Sequence, residues 1–494
     1  MKTKILTFWL LLSVLGVTSL QAQYFGRNKA NYESFDFKVY QSPHFEIYQY
    51  LNNPERLEEF TKEAEQWYLL HQRILDDTIK GRNPIVLYDD HADFQQTNAI
   101  MGAVGVGTGG VTEALKNRVV LPFAMSNQQT NHVLGHELVH AFQYNLIING
   151  DSTSLQSLGN LPLWMVEGLA EYLSIGSVDA HTAMWMRDAV LNDDVPSLKD
   201  LQNPKYFPYR YGQAFWAFLT GLKGDEIIEP FFVATAKYGF EMACTKELGM
   251  SSKNLSTLWE QALKRHFGQY LNATEDRLVG KELITKENSG EINIAPQISP
   301  NGRYVIFLSE KDLFSIDLFL ADARTGKIIR KEASSRKGGD IDDLDYIESA
   351  GSWSPDSKQF AFTAFSKGRN ILVINDVESG KTLKELPIKG VQAFSNPAWS
   401  PDGKTIVVTG LVEGQTDLYA VNIRTGAVEQ LTNDANSEMH PHWAVDGSYL
   451  VFSTDQLSRE RGRTNGKWVF NLAKMDLASR QVENIDIFPG ADNL

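Results

Sequence analysis

Four related segments in the second half of the chain constrain its fold more than any other feature. Successive copies are 55, 46 and 44 residues apart. Each copy begins with turn-forming residues and continues as an alternating strand, and a second hairpin follows, as in DLYAVNIRTGAVEQL. Four short strands in a unit of this length predict a β-propeller blade. The segments read ISPNGRYVIFLS (298–309), WSPDSKQFAFTA (353–364), WSPDGKTIVVTG (399–410) and WAVDGSYLVFST (443–454).

The recurrent phrase WSPDGK resembles the WD40-like repeats of TolB-type propellers. The first copy lacks the Trp, the second has Ser357 in place of Gly, and the fourth has Ala444 and Val445 in place of Ser and Pro. The resemblance implies an all-β propeller with four blade-like repeats over residues 286–494. TolB-type rings usually have more blades, so either four blades close on themselves or the ring is incomplete.

Residues 23–285 combine strand and helix patterns, which predicts an α+β domain. FEIYQY, PIVLY and NRVVLPF are typical of strands, and the segment between the first two has apolar residues at helical spacing. A helix through HVLGHELVHAFQYNLI follows, with Ser126 or Thr130 as its N-cap. A second helix, LPLWMVEGLAEYLSIG, is predicted to begin near Pro162 and to end near Gly176.

The sequence HELVH at residues 136–140 has the spacing of a metal site. On a helix, His136 and His140 lie on one face, close enough to bind the same cation, and Glu137 projects in a neighbouring direction, where it can reach a water molecule at the metal. The alternative is that these are ordinary helix residues. His132 extends the series, but two helical turns separate it from His140 by about 12 Å, which favours an exposed histidine or one that supports a ligand.

The second helix offers a third metal ligand. A catalytic zinc ion needs three protein ligands and one open position for water. Glu167 and Glu171 lie one turn apart on the same helical face, and Glu167 follows His140 by 27 residues. Glu167 is the predicted ligand, whereas Glu171 is placed to accept the free N–H of a coordinating imidazole. The alternative, exposed charges on an amphipathic helix, agrees less well with the large apolar residues around them.

HELVH followed by WMVEGLAEY resembles the gluzincin metallopeptidases, in particular the peptidase MA-like group, whose signature is HExxH and then WxxEGxAEY. The resemblance implies a zincin-like fold for residues 23–285. It also implies one Zn²⁺ per chain, bound by His136, His140 and Glu167, with Glu137 as the catalytic base. The high specificity of the match is confined to the two helices.

The same resemblance suggests where a substrate binds. In this group an edge strand ahead of the zinc helix pairs with the substrate backbone, and GVGTGGVTEALKNRVVLP has that position. Gly109, Gly110, Val111 and Glu113 are therefore the predicted substrate-binding residues. GVTEA is loosely similar to the GxMEN stretch of aminopeptidases in this group, whose Glu holds a free amine, but the Met and Asn are missing. A solvated turn charge is the alternative for Glu113.

A donor to the oxyanion of the reaction is expected downstream of the third ligand, where related enzymes have a Tyr or a His. The segment YFPYRYGQAFW contains Tyr206, Tyr209 and Tyr211. Tyr211 is the predicted catalytic donor, and aromatic packing is the alternative for each of the three.

The N-terminal segment predicts export. Two lysines, a short apolar run and small residues near Ala22 have the pattern of a signal peptide over residues 1–22. No later segment is apolar for long enough to cross a bilayer, so we expect a protein of the periplasm or cell envelope, or a secreted one. Cys244 is the only cysteine and cannot form an internal disulfide. The net charge of −14, without a basic stripe, argues against nucleic acid as a partner.

These patterns predict an exported zinc-dependent peptidase that acts on a peptide or protein substrate. In this interpretation the propeller binds the substrate or a protein partner. The alternative from another functional class is a non-catalytic envelope scaffold that acts through its propeller and carries a silent metallopeptidase-like domain.

Overall fold

The computed structural model describes residues 31–148, 152–269, 280–312, 315–334, 343–344, 351–463 and 468–485. The predicted signal peptide, residues 1–22, lies outside the described residues. The described part has a mixed first half and an all-β second half, as the change in sequence periodicity predicts. The last long helix of the first half ends at Gly268 and the first blade strand begins at Asn293.

A five-stranded sheet forms one layer of the first half. Its strand order is β1-β2-β3-β5-β4, in which β2, β3 and β5 are parallel and both edge strands run antiparallel to their neighbours. The short strand β4 therefore lies at an edge of the sheet. The strands are β1 (Lys38–Gln41), β2 (Phe45–Gln49), β3 (Asn83–Tyr88), β4 (Val111–Glu113) and β5 (Arg118–Pro122).

Helices cover this sheet and continue beyond it. They are α1 (Pro54–Leu75), α2 (His91–Phe94), α3 (Asn127–Ile147), α4 (Ser152–Ser157), α5 (Leu163–Ile175), α6 (Ala180–Leu191), α7 (Pro208–Lys223), α8 (Ile228–Tyr238), α9 (Phe240–Ala243) and α10 (Ser252–Gly268). One hydrophobic core joins the sheet to these helices, and buried Phe, Trp and Leu side chains from α1, α3, α5 and α7 contribute to it. The thiol of Cys244 is buried in the same core.

The boundaries of the two helices predicted to hold a metal follow from local sequence. The side chain of Ser126 accepts a hydrogen bond from the Gln129 N–H, so Ser126 is the N-cap of α3 and Thr130 lies inside the helix. Helix α5 begins directly after Pro162 and ends at Gly176, whose φ of 83° is typical of glycine. The sequence predicted both ends of α5.

Two glycines bring α5 and α7 into close contact. A Cβ atom on Gly168 would lie 2.3 Å from the Cα of Gly212, and a Cβ on Gly212 would lie 1.9 Å from the carbonyl oxygen of Trp164. Any larger residue at either position would push the helices apart. Gly168, which follows the predicted metal ligand Glu167, therefore has a structural reason to be glycine: it allows the start of α7 to approach α5 closely.

In the described residues, the second half forms four antiparallel sheets, each built from one sequence repeat. Two short pieces, β10 and β11, both pair with β12 and share the position of the first strand in the second sheet. The sheets are blade 1, with β6 (Asn293–Ile298), β7 (Tyr304–Ser309), β8 (Asp317–Asp322) and β9 (Ile328–Ala333); blade 2, with β10 (Asp343–Leu344), β11 (Ser352–Trp353), β12 (Gln359–Ser366), β13 (Arg369–Asp376) and β14 (Thr382–Leu386); blade 3, with β15 (Ala393–Trp399), β16 (Thr405–Val412), β17 (Gln415–Asn422) and β18 (Val428–Gln430); and blade 4, with β19 (Glu438–Trp443), β20 (Tyr449–Thr454), α11 (Gln456–Arg461), β21 (Asn471–Asp476) and β22 (Val482–Ile485).

The recurrent Trp and Ser of the repeat have defined roles. The indole N–H of Trp353 donates to the carbonyl oxygen of Gln297 in the preceding blade, and that of Trp443 donates to Ala398 in the same way, both at 3.0 Å. Within the turn of blade 3, the hydroxyl of Ser400 donates to the Asp402 carboxylate at 2.7 Å and accepts the Thr405 N–H at 3.0 Å. The Trp residues of blades 2 and 4 therefore join each of these blades to the one before it, whereas the indole N–H of Trp399 in blade 3 is buried without such a partner among the described residues.

The described blades form an arc. Hydrophobic clusters join blade 1 to blade 2, blade 2 to blade 3 and blade 3 to blade 4. None of the clusters formed by the described residues joins blade 4 to blade 1, and Ile298 on the first strand of blade 1 is 62% exposed. Of the two alternatives for the ring, the described residues favour the incomplete one.

The first half is attached to three of the blades. Blade 4 contacts the start of α3, where Asn127 donates its backbone N–H to Ser437 Oγ and its side-chain amide to Asp455 Oδ2, both at 2.9 Å. Blade 3 contacts α1, where Arg56 Nε donates to the carbonyl oxygen of Gly414 at 2.8 Å. Blade 2 contributes Phe365 to a small cluster with residues of the first half. The helix that carries the HELVH sequence is thus held at its first residue by the propeller.

In the described part of the chain, no helix has both the length and the apolar character that a membrane crossing requires.

Candidate metal centre

The three predicted metal ligands converge. The distance from His136 Nε2 to His140 Nε2 is 3.2 Å, and Glu167 Oε2 lies 3.3 Å from each of these nitrogens. In a tetrahedral site with bonds of about 2.0–2.1 Å, neighbouring ligand atoms lie about 3.3 Å apart. The triangle formed by these atoms therefore has the size of one face of a zinc coordination tetrahedron.

The convergence depends on the packing of α3 against α5. His136 and His140 are one turn apart on α3 and both are buried, and Glu167 on α5 is largely covered. Leu138 on α3 and Leu169 on α5 are completely buried in the same hydrophobic core. The apolar packing of the two helices brings the carboxylate to the imidazole rings, against the electrostatic cost of burying charge.

Gln143 orients His140, a role that the sequence did not predict. Its side-chain N–H donates to the carbonyl oxygen of Val166 on α5 at 3.0 Å, which leaves its Oε1 facing His140 Nδ1 at 2.8 Å. Since a carbonyl oxygen can only accept, His140 carries its proton on Nδ1 and directs the lone pair of Nε2 toward the cluster. The i, i+3 spacing from His140 to Gln143 is the one sequence signal that could have indicated this contact.

Glu171 lies behind His136. One of its carboxylate oxygens is 3.1 Å from His136 Nδ1 and 3.1 Å from His132 Nε2, and the other is 3.1 Å from an Nη1 donor of Arg210. Glu171 therefore has the position predicted for a residue that orients a ligand. His132, 30% exposed, contacts Glu171 rather than the ligand triangle, in agreement with the preference for a supporting role.

Charge is strongly coupled within the cluster. Burial opposes the charged form of His136, but its contacts with Glu167 and Glu171 outweigh burial and raise its pKa to about 10. Burial also opposes the charged forms of the two glutamates, yet hydrogen bonds from the neighbouring histidines lower the pKa of Glu167 and of Glu171. The cluster therefore favours a positive charge at its centre, which a proton or a metal cation would provide.

Glu137 is held beside the triangle by the edge strand. Thr112 on β4 donates its hydroxyl hydrogen toward Glu137, with Thr112 Oγ1 2.7 Å from Glu137 Oε2 and 2.8 Å from the Glu137 carbonyl oxygen. A Cβ atom on Gly110 would lie 2.8 Å from Glu137 Cγ, so only glycine fits against this side chain. The edge strand and the predicted base are therefore directly in contact.

The other residues predicted to bind substrate have separate positions. Val111 is half-buried in β4, and a Cβ atom on Gly109 would lie 3.0 Å from Val133 of α3. Glu113 pairs with Arg118 across the β4–β5 hairpin, with 3.1 Å between the carboxylate and Nη2. Glu113 thus has a structural partner on the next strand, which is closer to the alternative of a turn charge than to an amine-binding group.

The structure does not bring Tyr211 to the cluster. Its ring is buried and packs against Tyr206 and Trp185, and burial together with the charge of Asp194 raises its pKa to about 12. Tyr209 is the tyrosine beside the metal ligands. Its ring is stacked on that of His136 with 5.7 Å between centroids, and burial followed by the charge of Glu167 raises the pKa of its hydroxyl.

The arrangement has the donors of a zinc site. With His140 protonated on Nδ1, its Nε2 presents a lone pair to the cluster, and neutral His136 with its proton on Nδ1, 3.1 Å from Glu171, would do the same. In that form three electron-rich atoms face one another, and a cation among them would remove their mutual repulsion. Two imidazole nitrogens and one carboxylate oxygen are the ligands of several catalytic zinc sites, so the residues present fit this metal.

Comparison with known proteins identifies the second half. Residues 341–461 match the family model of the TolB beta propeller domain. Similar solved structures include a TolB-like protein from Agrobacterium tumefaciens, with 20% identity, a TM-score of 0.32 and coverage of 40% of this chain and 65% of that one. TolB from Acinetobacter baumannii has 20% identity, a TM-score of 0.31 and coverage of 39% and 43%. A puromycin-hydrolyzing peptidase from Mycobacterium tuberculosis has 16% identity, a TM-score of 0.29 and coverage of 40% and 31%.

The matched part of this chain spans less than two thirds of the length of each of these three proteins. The family match agrees with the four-stranded sheets of the second half and confirms the TolB-type propeller repeats predicted from WSPDGK.

Proposed function

We propose that this protein is a zinc-dependent peptidase in which His136, His140 and Glu167 bind one Zn²⁺ and Glu137 is the general base. The observation that supports the proposal most directly is the triangle of ligand atoms, with sides of 3.2–3.3 Å. Glu137 lies next to it, on the same helix as the two histidines. A glutamate after a histidine is common, but a largely buried cluster of four ionisable side chains, here His136, Glu137, His140 and Glu167, is typical of a functional site.

Each residue of the proposed site has a separate role in peptide hydrolysis. Zinc bound at the triangle would supply a Lewis acid that polarises a carbonyl group and makes water more acidic. Glu137 accepts a proton from the attacking water as the new C–O bond forms, and transfers it to the amine as the C–N bond breaks. Thr112 and Gly110 hold the Glu137 carboxylate in place, and Gln143 and Glu171 hold the imidazole rings.

The substrate is proposed to lie along β4. This strand is at the edge of the sheet and contacts Glu137 through Thr112, so an extended peptide added to that edge would pass the base. The hydroxyl of Tyr209, whose ring is stacked on that of His136, is proposed to donate to the oxyanion in place of Tyr211. The raised pKa of Tyr209 keeps it protonated, as a donor must be.

The wider assignment rests on the same residues. We propose that the first half is a zincin-like domain of the gluzincin type, because the HELVH and WMVEGLAEY helices and the edge strand have the arrangement that the resemblance implies. We also propose an exported protein of the cell envelope, on the basis of its N-terminal segment. The propeller would bind a substrate or a protein partner.

The decisive experiment compares the parent protein with Glu137→Ala. Zinc per chain is measured by metal analysis, and cleavage of a mixed peptide library is measured by mass spectrometry. We expect about one zinc in both proteins and cleavage only by the parent. One zinc with no cleavage by the parent would favour the scaffold alternative, and absence of zinc from the parent after incubation with Zn²⁺ would overturn the proposed metal site.

A further inference from the structure

A row of aromatic rings leads from the protein surface to the metal-binding cluster. The ring centroids of Trp185 and Phe207 are 5.8 Å apart, those of Phe207 and Tyr209 are 5.1 Å apart, and those of Tyr209 and His136 are 5.7 Å apart. Successive rings are inclined by 31°, 28° and 19°, so each lies nearly parallel to the next. We call Trp185, Phe207 and Tyr209 the aromatic row.

The outer two members of this row are exposed although they are large and apolar. Phe207 is 41% exposed and Trp185 is 38% exposed. Next to Trp185 on α6, Met184 is 49% exposed. Exposed apolar residues are common singly, but a contiguous group of them that ends at a candidate catalytic centre indicates a binding surface.

The row is held rigidly. Phe207 precedes Pro208, the first residue of α7, and its carbonyl oxygen accepts the Tyr211 N–H at 3.1 Å, so the backbone at the start of the helix is fixed. Trp185 packs edge-on against the buried ring of Tyr211, with 6.3 Å between centroids. Tyr211, which the sequence predicted to be the oxyanion donor, therefore has a packing role: its ring supports Trp185.

The charged groups near the inner end of the row are already paired. The carboxylates of Glu167 and Glu171 lie 3.3 Å and 3.1 Å from nitrogens of His136, the ring on which Tyr209 is stacked. Arg210, the neighbouring cation, already contacts Glu171 at 3.1 Å and Asp179 at 3.4 Å. An acidic side chain along the row would lose its hydration beside an arginine that is already paired, whereas an apolar side chain would lose only its contact with water.

We propose that the aromatic row binds a bulky apolar side chain of the substrate, adjacent to the peptide bond that is cut. This inference rests on the proposed peptidase function and adds a substrate class to it: peptides with Phe, Tyr, Leu or Met at one of the two positions flanking the cut bond. The continuity of the row with His136 determines the position, because Tyr209, the inner member of the row, stacks on both Phe207 and His136.

The first test is the sequence preference of the parent protein. The zinc-loaded full chain is incubated with a peptide library, and the residues on either side of each cut are identified by mass spectrometry. We expect bulky apolar residues to be enriched, and Asp and Glu depleted, at one flanking position. Cleavage without such enrichment would overturn this inference and leave the peptidase proposal intact, whereas absence of any cleavage would count against both.

The second test uses two matched peptides from that library that differ only in Phe or Ala at the enriched position. For Phe207→Ala and for Trp185→Ala, we expect the ratio of kcat/KM values for the Phe and Ala peptides to fall about tenfold, the amount typical for loss of an apolar subsite contact. Phe207→Leu should keep most of the preference, because it keeps an apolar side chain. Unchanged ratios in both alanine variants would contradict the assignment.

Tyr238→Ala is the matched control, because it removes an exposed aromatic ring from α8, outside the row. Its ratio should equal that of the parent. Zinc per chain is measured in every variant, so that a change of preference is separated from loss of the metal. A fall in the ratio for Tyr238→Ala equal to that for Phe207→Ala would show that the effect is not specific to the row and would overturn the inference.

Discussion

His140 Nδ1 lies 2.8 Å from Oε1 of Gln143, one helical turn further along the same helix. The amide of Gln143 is fixed in turn by its hydrogen bond to Val166, which belongs to the helix that carries Glu167. This pair therefore links the orientation of one predicted ligand to the backbone position of another. A change at Gln143 should act on metal affinity and not on the chemistry of hydrolysis itself.

We expect Gln143→Leu to weaken zinc binding by roughly 10–100-fold, the usual effect of removing a group that orients a ligand. The Nδ1 proton of His140 would lose its acceptor, and the ring would be free to adopt the other tautomer. Competition with a chelator of known zinc affinity measures the change. Gln72→Leu on α1 is the control, because its amide donates to Thr78 and, among the described residues, to no member of the cluster. Equal affinity in the two variants would refute the role of Gln143.

Substitutions of the ligands and of the base should separate binding from reaction. His140→Ala or Glu167→Ala removes one of the three proposed ligand atoms, so the number of zinc ions per chain should fall well below one. Glu137→Gln keeps the shape of the side chain but cannot accept a proton, so zinc should stay at about one per chain while kcat falls by about 10²–10⁴-fold. Full hydrolysis by Glu137→Gln would exclude this residue as the base.

The contact between α5 and α7 can be tested with two glycines of the same helix. In Gly212→Ala the added Cβ would meet the Trp164 carbonyl oxygen at 1.9 Å, so we expect a loss of about 1–3 kcal/mol in the free energy of unfolding. Since α5 carries Glu167, weaker zinc binding should accompany this loss.

Gly221→Ala is the control for that experiment. Nothing lies within 4 Å of the position that its Cβ would occupy, so the substitution should leave stability unchanged or raise it by about 0.5–1 kcal/mol. Chemical denaturation of both variants measures the difference. Equal stability of the two variants would mean that the helices can separate without cost.

The propeller contains a pH-dependent group. Burial, and then the charges of Asp434 and Asp417, raise the pKa of Glu438 on β19 to about 9. Thr432 donates a hydrogen bond to it at 3.1 Å and Asp455 adds a further negative charge. Because the folded pKa is above the ordinary value, this carboxyl makes the protein progressively less stable as the pH rises from about 4.5 to 9.

Glu438→Gln removes that dependence. We expect it to stabilise the protein by on the order of 2 kcal/mol at pH 8 and by much less at pH 5. Thermal unfolding at the two pH values measures the effect. Glu385→Gln, which changes an exposed carboxyl on β14, should show the same small shift at both. If Glu438→Gln stabilised the protein more at pH 5 than at pH 8, the raised pKa of Glu438 would be contradicted.

Sequence periodicity predicted the architecture because both halves depend on local rules. The blade turns use Ser, Asp and Gly in fixed positions, and Trp353 and Trp443 repeat the same contact with the preceding blade. The convergence of His136, His140 and Glu167 was predicted because helical spacing places the two histidines on one face of α3 and Glu167 and Glu171 on one face of α5, where a zinc site would find its third ligand.

The sequence could not predict which side chain near the end of a helix or strand faces the site. Tyr209 and Tyr211 are two residues apart on a helix, so they point in directions about 200° apart, and only the packing of α7 on α5 determines which one faces the metal ligands. The pairing of Glu113 with Arg118 depends on the register of a hairpin whose turn has no strong signal. Gln143 acquires its role from a backbone carbonyl on another helix.

The attachment of Asn127 to blade 4 has a consequence for how the molecule is made. Both of its partners, Ser437 and Asp455, follow it by more than three hundred positions. Because a ribosome delivers the polypeptide from its N-terminus, the first turn of α3 lacks these two hydrogen bonds until residues 437 and 455 have been synthesised. Completion of the start of the HELVH helix is therefore coupled to the formation of blade 4.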